Sequence, residues 1–277
     1  MPTSIQEFPK EYVDAIDEVL AGATYATAYD VGAAEFVNGR QVSVPELSFG
    51  DSPNPANYNR FQSGEADVTL NRTTYTLAND KEKVFYVDAA DAIDEAAADI
   101  TKIVSEYQRT ILAPFVDKDF FTVAKTKAKT KGTETLTAAN IKDEIRKART
   151  QFTQAGLMGG NLYMSSAALG LLEDATDRQW SNDSSISDAI GSYDGFQVFE
   201  VPDELLQADF TVISGGTNTI RYITKRAALY TFAPGQHTNG DGWMAQLRWI
   251  YGSIVRNNKV AGIYTNKAAA AGETTGE

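Results

Sequence analysis

Three features of the 277-residue chain predict an α+β fold. A long amphipathic helix over 89–112 stands alone between strand-rich segments. A second helix over 138–155 is followed by further strand segments as far as Tyr264. An extended run at 36–44 faces a second, threonine-rich one at 66–77 across a segment crowded with Pro, Asn, Ser and Gly. Apolar residues make up 43% of the chain, and a chain of this length buries roughly three-quarters of its unfolded surface, so a substantial core is expected.

Taken in order, Glu11 to about Ala21 reads as a short helix, with Val13, Ile16 and Leu20 at helical spacing and Gly22 just beyond it. Phe36 to Val44 reads as a hairpin about Asn38-Gly39, a dipeptide favoured in type I′ turns. Pro45 to Ser63 lacks periodicity, and strand character resumes over Ala66–Leu77, so 36–77 is expected to be an extended two-stranded arm with a mobile middle. Lys83–Asp88 is a strand. In the following helix Ile93, Ala96, Ala97, Ile100, Ile103, Val104, Tyr107 and Ile111 form one stripe, with acidic Asp91, Asp94 and Glu95 in the first turns, where the helix dipole favours negative charge. Its length is about 36 Å, and Pro114 is expected to end it.

Phe120–Thr135, with Lys125, Lys127, Lys129 and Lys131 at alternate positions, reads as a connector. A second helix is predicted over 138–155, with Thr137 as N-cap, Leu136 and Ile141 as a hydrophobic staple and Gly156 at its end. Strands are predicted at Asn161–Ser165, Gly195–Val201, Asp209–Ser214, Met244–Tyr251 and Val260–Tyr264. Ser166–Ala175 is a short helix, Asn257–Lys259 a turn, and 267–277 a low-complexity tail. Trp243, Trp249 and Tyr251 are expected in the core, whereas Trp180, between Arg178 and Asn182 in a polar loop, has the setting of an interface residue.

The chemistry expected is slight. There is no cysteine and only one histidine, His237, set in the turn-forming Pro234–Gly242 stretch. Thiolate chemistry is thereby excluded, and a Ser-His-Asp triad would rest on that single residue. Phosphate-cradling glycine loops, His-Glu-x-x-His and Gly-x-Ser-x-Gly are absent, and Gly159-Gly160 and Gly215-Gly216 read as turns. Carboxylate pairs such as Asp14 with Asp17, or Asp91 with Asp94, lie on solvated helix faces and not in the opposed arrangement of a glycosidase. A net charge of −12 argues against gripping nucleic acid through its phosphates. No run of about 18 apolar residues occurs, and Met1–Lys10 lacks the basic-then-apolar plan of a signal peptide. Neither a catalytic group, a metal nor a cofactor is expected.

The order of these elements resembles the major capsid proteins of tailed bacteriophages, the HK97 fold. The resemblance covers roughly residues 10–266. It is carried by Gly64–Leu77 followed by Phe85–Asp88, by Asn161–Ser165 and Gly195–Pro202, and by Tyr251-Gly-Ser-Ile-Val255 with Lys259–Tyr264. It implies an N-terminal arm (1–35), an extended E-loop (36–80), a P-domain (81–134) with a spine helix at 89–112, an A-domain (135–239), P-domain return strands (240–266) and a disordered tail (267–277).

The implied function is structural: hexamers and pentamers of this chain close into an icosahedral head around double-stranded DNA, which is enclosed without sequence-specific binding. The implied partners are further copies of the chain, a portal, a separate scaffolding protein and, optionally, a decoration protein. Such a protein is made in the host bacterial cytoplasm and ends in the virion, with no membrane contact. The only cations of the E-loop are Arg40, Arg60 and Arg72, and arginine suits bidentate pairing across an interface. Asp91, Asp94, Glu95 and Asp99 of a neighbouring copy are their candidate acceptors, with Trp180 a further candidate contact. Some family members crosslink through an E-loop lysine; none lies between Lys10 and Lys81, so the shell is expected to be non-covalent. The alternatives are an encapsulin-like nanocompartment shell and, from another class, an acidic carboxylate hydrolase.

Overall fold

The computed structural model describes residues 24–31, 36–38, 40–49, 68–88, 100–176, 191–236 and 240–267. Strands β1 (Phe36–Asn38), β2 (Gln41–Phe49) and β3 (Val68–Thr76) form an antiparallel sheet in the order β1-β2-β3. The hairpin predicted about Asn38-Gly39 is present as the β1–β2 pairing, and β2 runs on through Pro45, which faces Arg72 of β3. β1 reaches only to Val42, so at Pro45 β2 is an edge strand, where a missing N–H is tolerated. The stretch expected to be aperiodic thus contributes residues 45–49 to a strand, and 50–67 lie outside the described residues.

A second sheet, ordered β10-β11-β4, combines β4 (Asn79–Asp88), β10 (Ile220–Phe232) and β11 (Gly242–Val255), all antiparallel. One face lies on the long helix. That helix is described from Ile100 and consists of α1 (Ile100–Tyr107), a π turn (Gln108–Leu112) and α2 (Ala113–Lys127). The expectation that Pro114 ends the helix is incorrect. The proline sits in the first turn of α2, directly after the π turn has changed the hydrogen-bond register, where its missing N–H costs no α-helical bond. The reading of Phe120–Thr135 as a connector is corrected with it: α2 continues to Lys127, and Phe120 and Phe121 are fully buried.

The π turn also moves the buried stripe. Positions four apart drift by about 40° per step in a helix of 3.6 residues per turn, yet Ile100, Val104, Gln108, Leu112, Val116, Phe120 and Ala124 are all buried. A turn that holds one extra residue takes up part of that drift. Ile111, predicted on the apolar stripe, is consequently 54% exposed, while Leu112 is buried.

A third, six-stranded sheet has the order β5-β12-β9-β6-β8-β7, built from β5 (Thr130–Gly132), β6 (Asn161–Met164), β7 (Gly191–Tyr193), β8 (Phe196–Glu200), β9 (Phe210–Ile213) and β12 (Ile263–Asn266). Helices α3 (Ile141–Gln154) and α4 (Ser166–Thr176) cover it, with Ile141, Ile145, Ala148, Phe152, Leu169 and Leu172 packed on Leu162, Met164, Phe196, Val198, Phe210 and Val212. The second helix starts at Ile141 and not at 138. Asn140 is the reason: its side-chain oxygen accepts the Thr137 N–H (2.8 Å) and its amide donates to the Thr135 carbonyl (2.9 Å), which closes a turn ahead of the helix. Thr137 is therefore not the N-cap. Gly156 does take the left-handed conformation past the helix end (φ 70°).

Sheet membership does not follow the segment limits at 239 and 240. β10, within 135–239, joins β11 and β4, whereas β12, within 240–266, joins the six-stranded sheet. A short helix, α5 (Asp203–Leu206), packs against α2. Finally a strap, residues 24–31 with a 3₁₀ turn at Ala26–Tyr29, lies between α2, β6 and β10.

Candidate assembly surfaces

The β2–β3 hairpin joins the body at its root. Val42, Val44 and Leu77 at its root form a small buried cluster with Ile223 and Ile254, flanked by Tyr75 and Ile250. The Leu77 N–H donates to the Arg40 carbonyl at 2.8 Å. Gly252 of β11 permits the approach, because a Cβ there would lie 3.1 Å from the Leu77 side chain. Farther along β3 the burial ends: Thr69, Leu70, Asn71 and Arg72 are consecutive and all exposed, and since successive side chains point to opposite faces, both faces of the arm are open. Leu70 is 56% exposed.

Of the predicted contact residues, Arg40 is exposed in the turn before β2 and Arg72 is exposed on β3. Neither is in an ion pair among the described residues. Arg60, Asp91, Asp94, Glu95, Asp99 and Trp180 lie outside the described residues, as do Asp14, Asp17, His237 and the first predicted helix.

A second exposed feature escaped the sequence reading. Ile111 and Phe115 (43% exposed), one turn apart on the helix, edge a cleft of about 190 Å³ whose other walls are Lys81, Glu82, Tyr107, Leu112 and Trp249. The Lys81 ammonium stands 5.2 Å from the Phe115 ring centroid, within cation–π range. Trp249 and Tyr251 are buried as predicted, but Trp243, near the start of β11 opposite Val87, is 42% exposed. A third exposed apolar group, Met158 (93% exposed), projects from the turn after α3 beside Gly159 and Gly160, whose positive φ angles bear out the turn predicted there.

Of the lysine series, Lys125 serves the body of the molecule. Lys125 Nζ donates to the Gln207 carbonyl at 3.2 Å, and partial burial, helped by Lys267 and Lys131, lowers its pKa. In the six-stranded lobe the buried carboxylate of Glu144 accepts from Tyr264 Oη (3.0 Å) and from Lys147. Among the described residues no cluster of His, Asp and Glu could hold a metal ion, and no helix is long and apolar enough to cross a membrane.

No protein-family model matches the chain, and no curated protein is similar to it. Solved structures are similar. The capsid of the cyanophage P-SCSP1u superposes with a TM-score of 0.65 at 10% identity, covering 86% of each chain. A structure from Mycobacterium phage Adephagia gives 0.60 at 14% identity over 96% of this chain and 99% of that one. The virus-like particle of Pyrococcus furiosus gives 0.59 at 12% identity over 92% and 96%. These similarities cover nearly the full length of the chains compared, and the chain therefore has the HK97-like fold of viral capsid proteins.

Proposed function

We propose that this chain is a structural shell protein, the major head protein of a tailed bacteriophage, which assembles into hexamers and pentamers around double-stranded DNA. The observation that carries the reading is a capsid fold combined with an arm whose β3 is exposed on both faces over Thr69–Arg72. Such an arm cannot bury its own surface, and a neighbouring copy supplies the surface that it lacks. In this reading 36–80 is the extended loop, 81–134 the domain of the spine helix, 135–239 the lobe directed to the capsomer centre and 240–266 the return strands. Arg40, Arg60 and Arg72 pair with Asp91, Asp94, Glu95 and Asp99 of the next copy, and Trp180 contributes at the lobe. The protein has no catalytic role. A portal, a separate scaffolding protein and, in some heads, a decoration protein are its other partners, and it passes from the host cytoplasm into the virion.

The fold shared with the Pyrococcus furiosus particle keeps one second reading alive, a compartment shell that encloses protein instead of DNA. Sedimentation and electron microscopy of the expressed chain, alone and with its neighbouring genes, test both. Closed shells, tubes or five- and six-fold rings are expected, and persistent monomers under both conditions would sink the assembly reading. Nuclease-protected DNA in native particles supports the phage head; protein cargo without DNA supports the compartment.

A further inference from the structure

Asp117 is an acidic residue in an apolar series. It stands between Ala113 and Phe121 on one face of α2, is 2% exposed, and points its carboxyl at the strap. The backbone N–H of Ala26 donates to Oδ1 at 3.0 Å, and the N–H of Tyr25 donates to the same carboxyl. Around this point the strap is held to three elements. Tyr29 Oη and Tyr163 Oη of β6 lie 3.1 Å apart, and Asn161 Nδ2 donates to both, at 3.0 and 3.1 Å. Tyr25 Oη donates to the Glu200 carbonyl at 3.0 Å, its ring lies against Phe121 and Tyr163, and Asp30 bridges to Tyr222 of β10.

We propose that Asp117 is a proton-operated clasp on residues 24–31, which fastens the strap when its carboxyl is protonated and loosens it when the carboxyl ionises. The inference stands apart from the shell reading, since it concerns contacts within one chain.

The physical cause is desolvation. Burial raises the Asp117 pKa to about 7, and the two backbone donors only partly oppose it. Of the neighbouring groups, burial holds the Tyr163 phenol at about 12, raises that of Tyr29 well above its usual value, and also raises the Asp119 carboxyl. Lys118 and, on α5, Asp203 and Glu204 are exposed; Asp119 turns away to Asn79 at 2.9 Å, toward Tyr251 of β11. With the strap released, the Asp117 carboxyl meets water and returns to about 3.9. The docked form then holds more protons between these two values. Docking is strongest below about pH 4, and opening grows about tenfold per pH unit up to about pH 7, where it levels off.

Hydrogen exchange of the full-length chain, with intrinsic rates divided out and the assembly state held fixed, reads this directly. Opening of the 24–31 amides is expected to rise about fiftyfold from pH 5 to pH 7 while amides of β6 and β9 stay level. The D117N variant should lose that slope. A flat profile in the native chain, or an unchanged slope in D117N, overturns the clasp. Should D117N fail to fold, the carbon-13 titration of the native Asp117 carboxyl decides: a midpoint near 7 supports the proposal and one below 5 overturns it.

Discussion

The six-stranded lobe and the β2–β3 arm are both sheet structures rich in β-branched and aromatic residues, yet they are held in different ways. The lobe places two helices over its strands and closes a continuous core from Leu136 to Tyr264. Among the described residues the arm has only Val42, Val44 and Leu77 against Ile223 and Ile254, and Thr69–Arg72 of β3 face solvent on both sides. The lobe carries its own stability. The arm's conformation is underwritten by whatever surface it meets, so damage to the lobe should read out as unfolding and damage to the arm as failed assembly.

The largest effect expected from breaking this contrast is in the lobe. Phe152 and Phe196 are fully buried and meet edge-to-face at 5.9 Å, so Phe152→Ala should cost about 3–5 kcal/mol, measured by denaturant unfolding. Leu77→Ala should cost about 2 kcal/mol, but locally: hydrogen exchange should rise in residues 40–49 and 68–77 while the lobe stays protected. Equal loss of protection in both would show that the arm and lobe unfold as one unit. Arg72→Glu, or Arg60→Glu in the extended loop, should shift monomer stability by less than about 0.5 kcal/mol and still impair assembly; normal particles from both would remove the arginine contacts from the reading. A small effect is also expected at the partly exposed Asp80–Arg248 pair (3.1 Å), where Asp80→Asn should barely move the unfolding midpoint. With no lysine in 36–80, particles boiled in detergent should run as single chains on a gel.

Much of this architecture was legible in the residues. The β-rich arm, the long helix and the β6–α4 and β8–β9 segments follow from period-2 and period-3.6 patterns. What was missed has identifiable causes. β10 was not recognised because a bulge between Thr224 and Arg226 shifts its alternation midway, so neither half shows a full strand pattern. The helix was cut at Pro114, and Ile111 misplaced, because a π turn is invisible to a fixed period. The strap has no periodicity, since a 3₁₀ turn and tertiary contacts bury Ala26 and Tyr29 and half-bury Tyr25. Asp117 did leave a signal, an acid interrupting the Ala113–Phe121 apolar spacing. For the candidate site, Arg40 and Arg72 are exposed, but the partners proposed for them are on another copy, and one chain's pattern does not encode where a second copy sits.

The position of β12 bears on the order of folding. Residues 263–266 lie between β5 and β9, so a strand from late in the chain joins one formed before residue 133 to one formed before residue 214. All of β10 and β11 is synthesised in between. The lobe therefore cannot complete its sheet as it leaves the ribosome; β5 and the exposed edge of β9 must wait while a second sheet is made. Contacts of such high sequence separation slow folding and leave strand edges open meanwhile. A chaperone that shields the β9 edge should raise the yield of folded chain more than one that protects the arm.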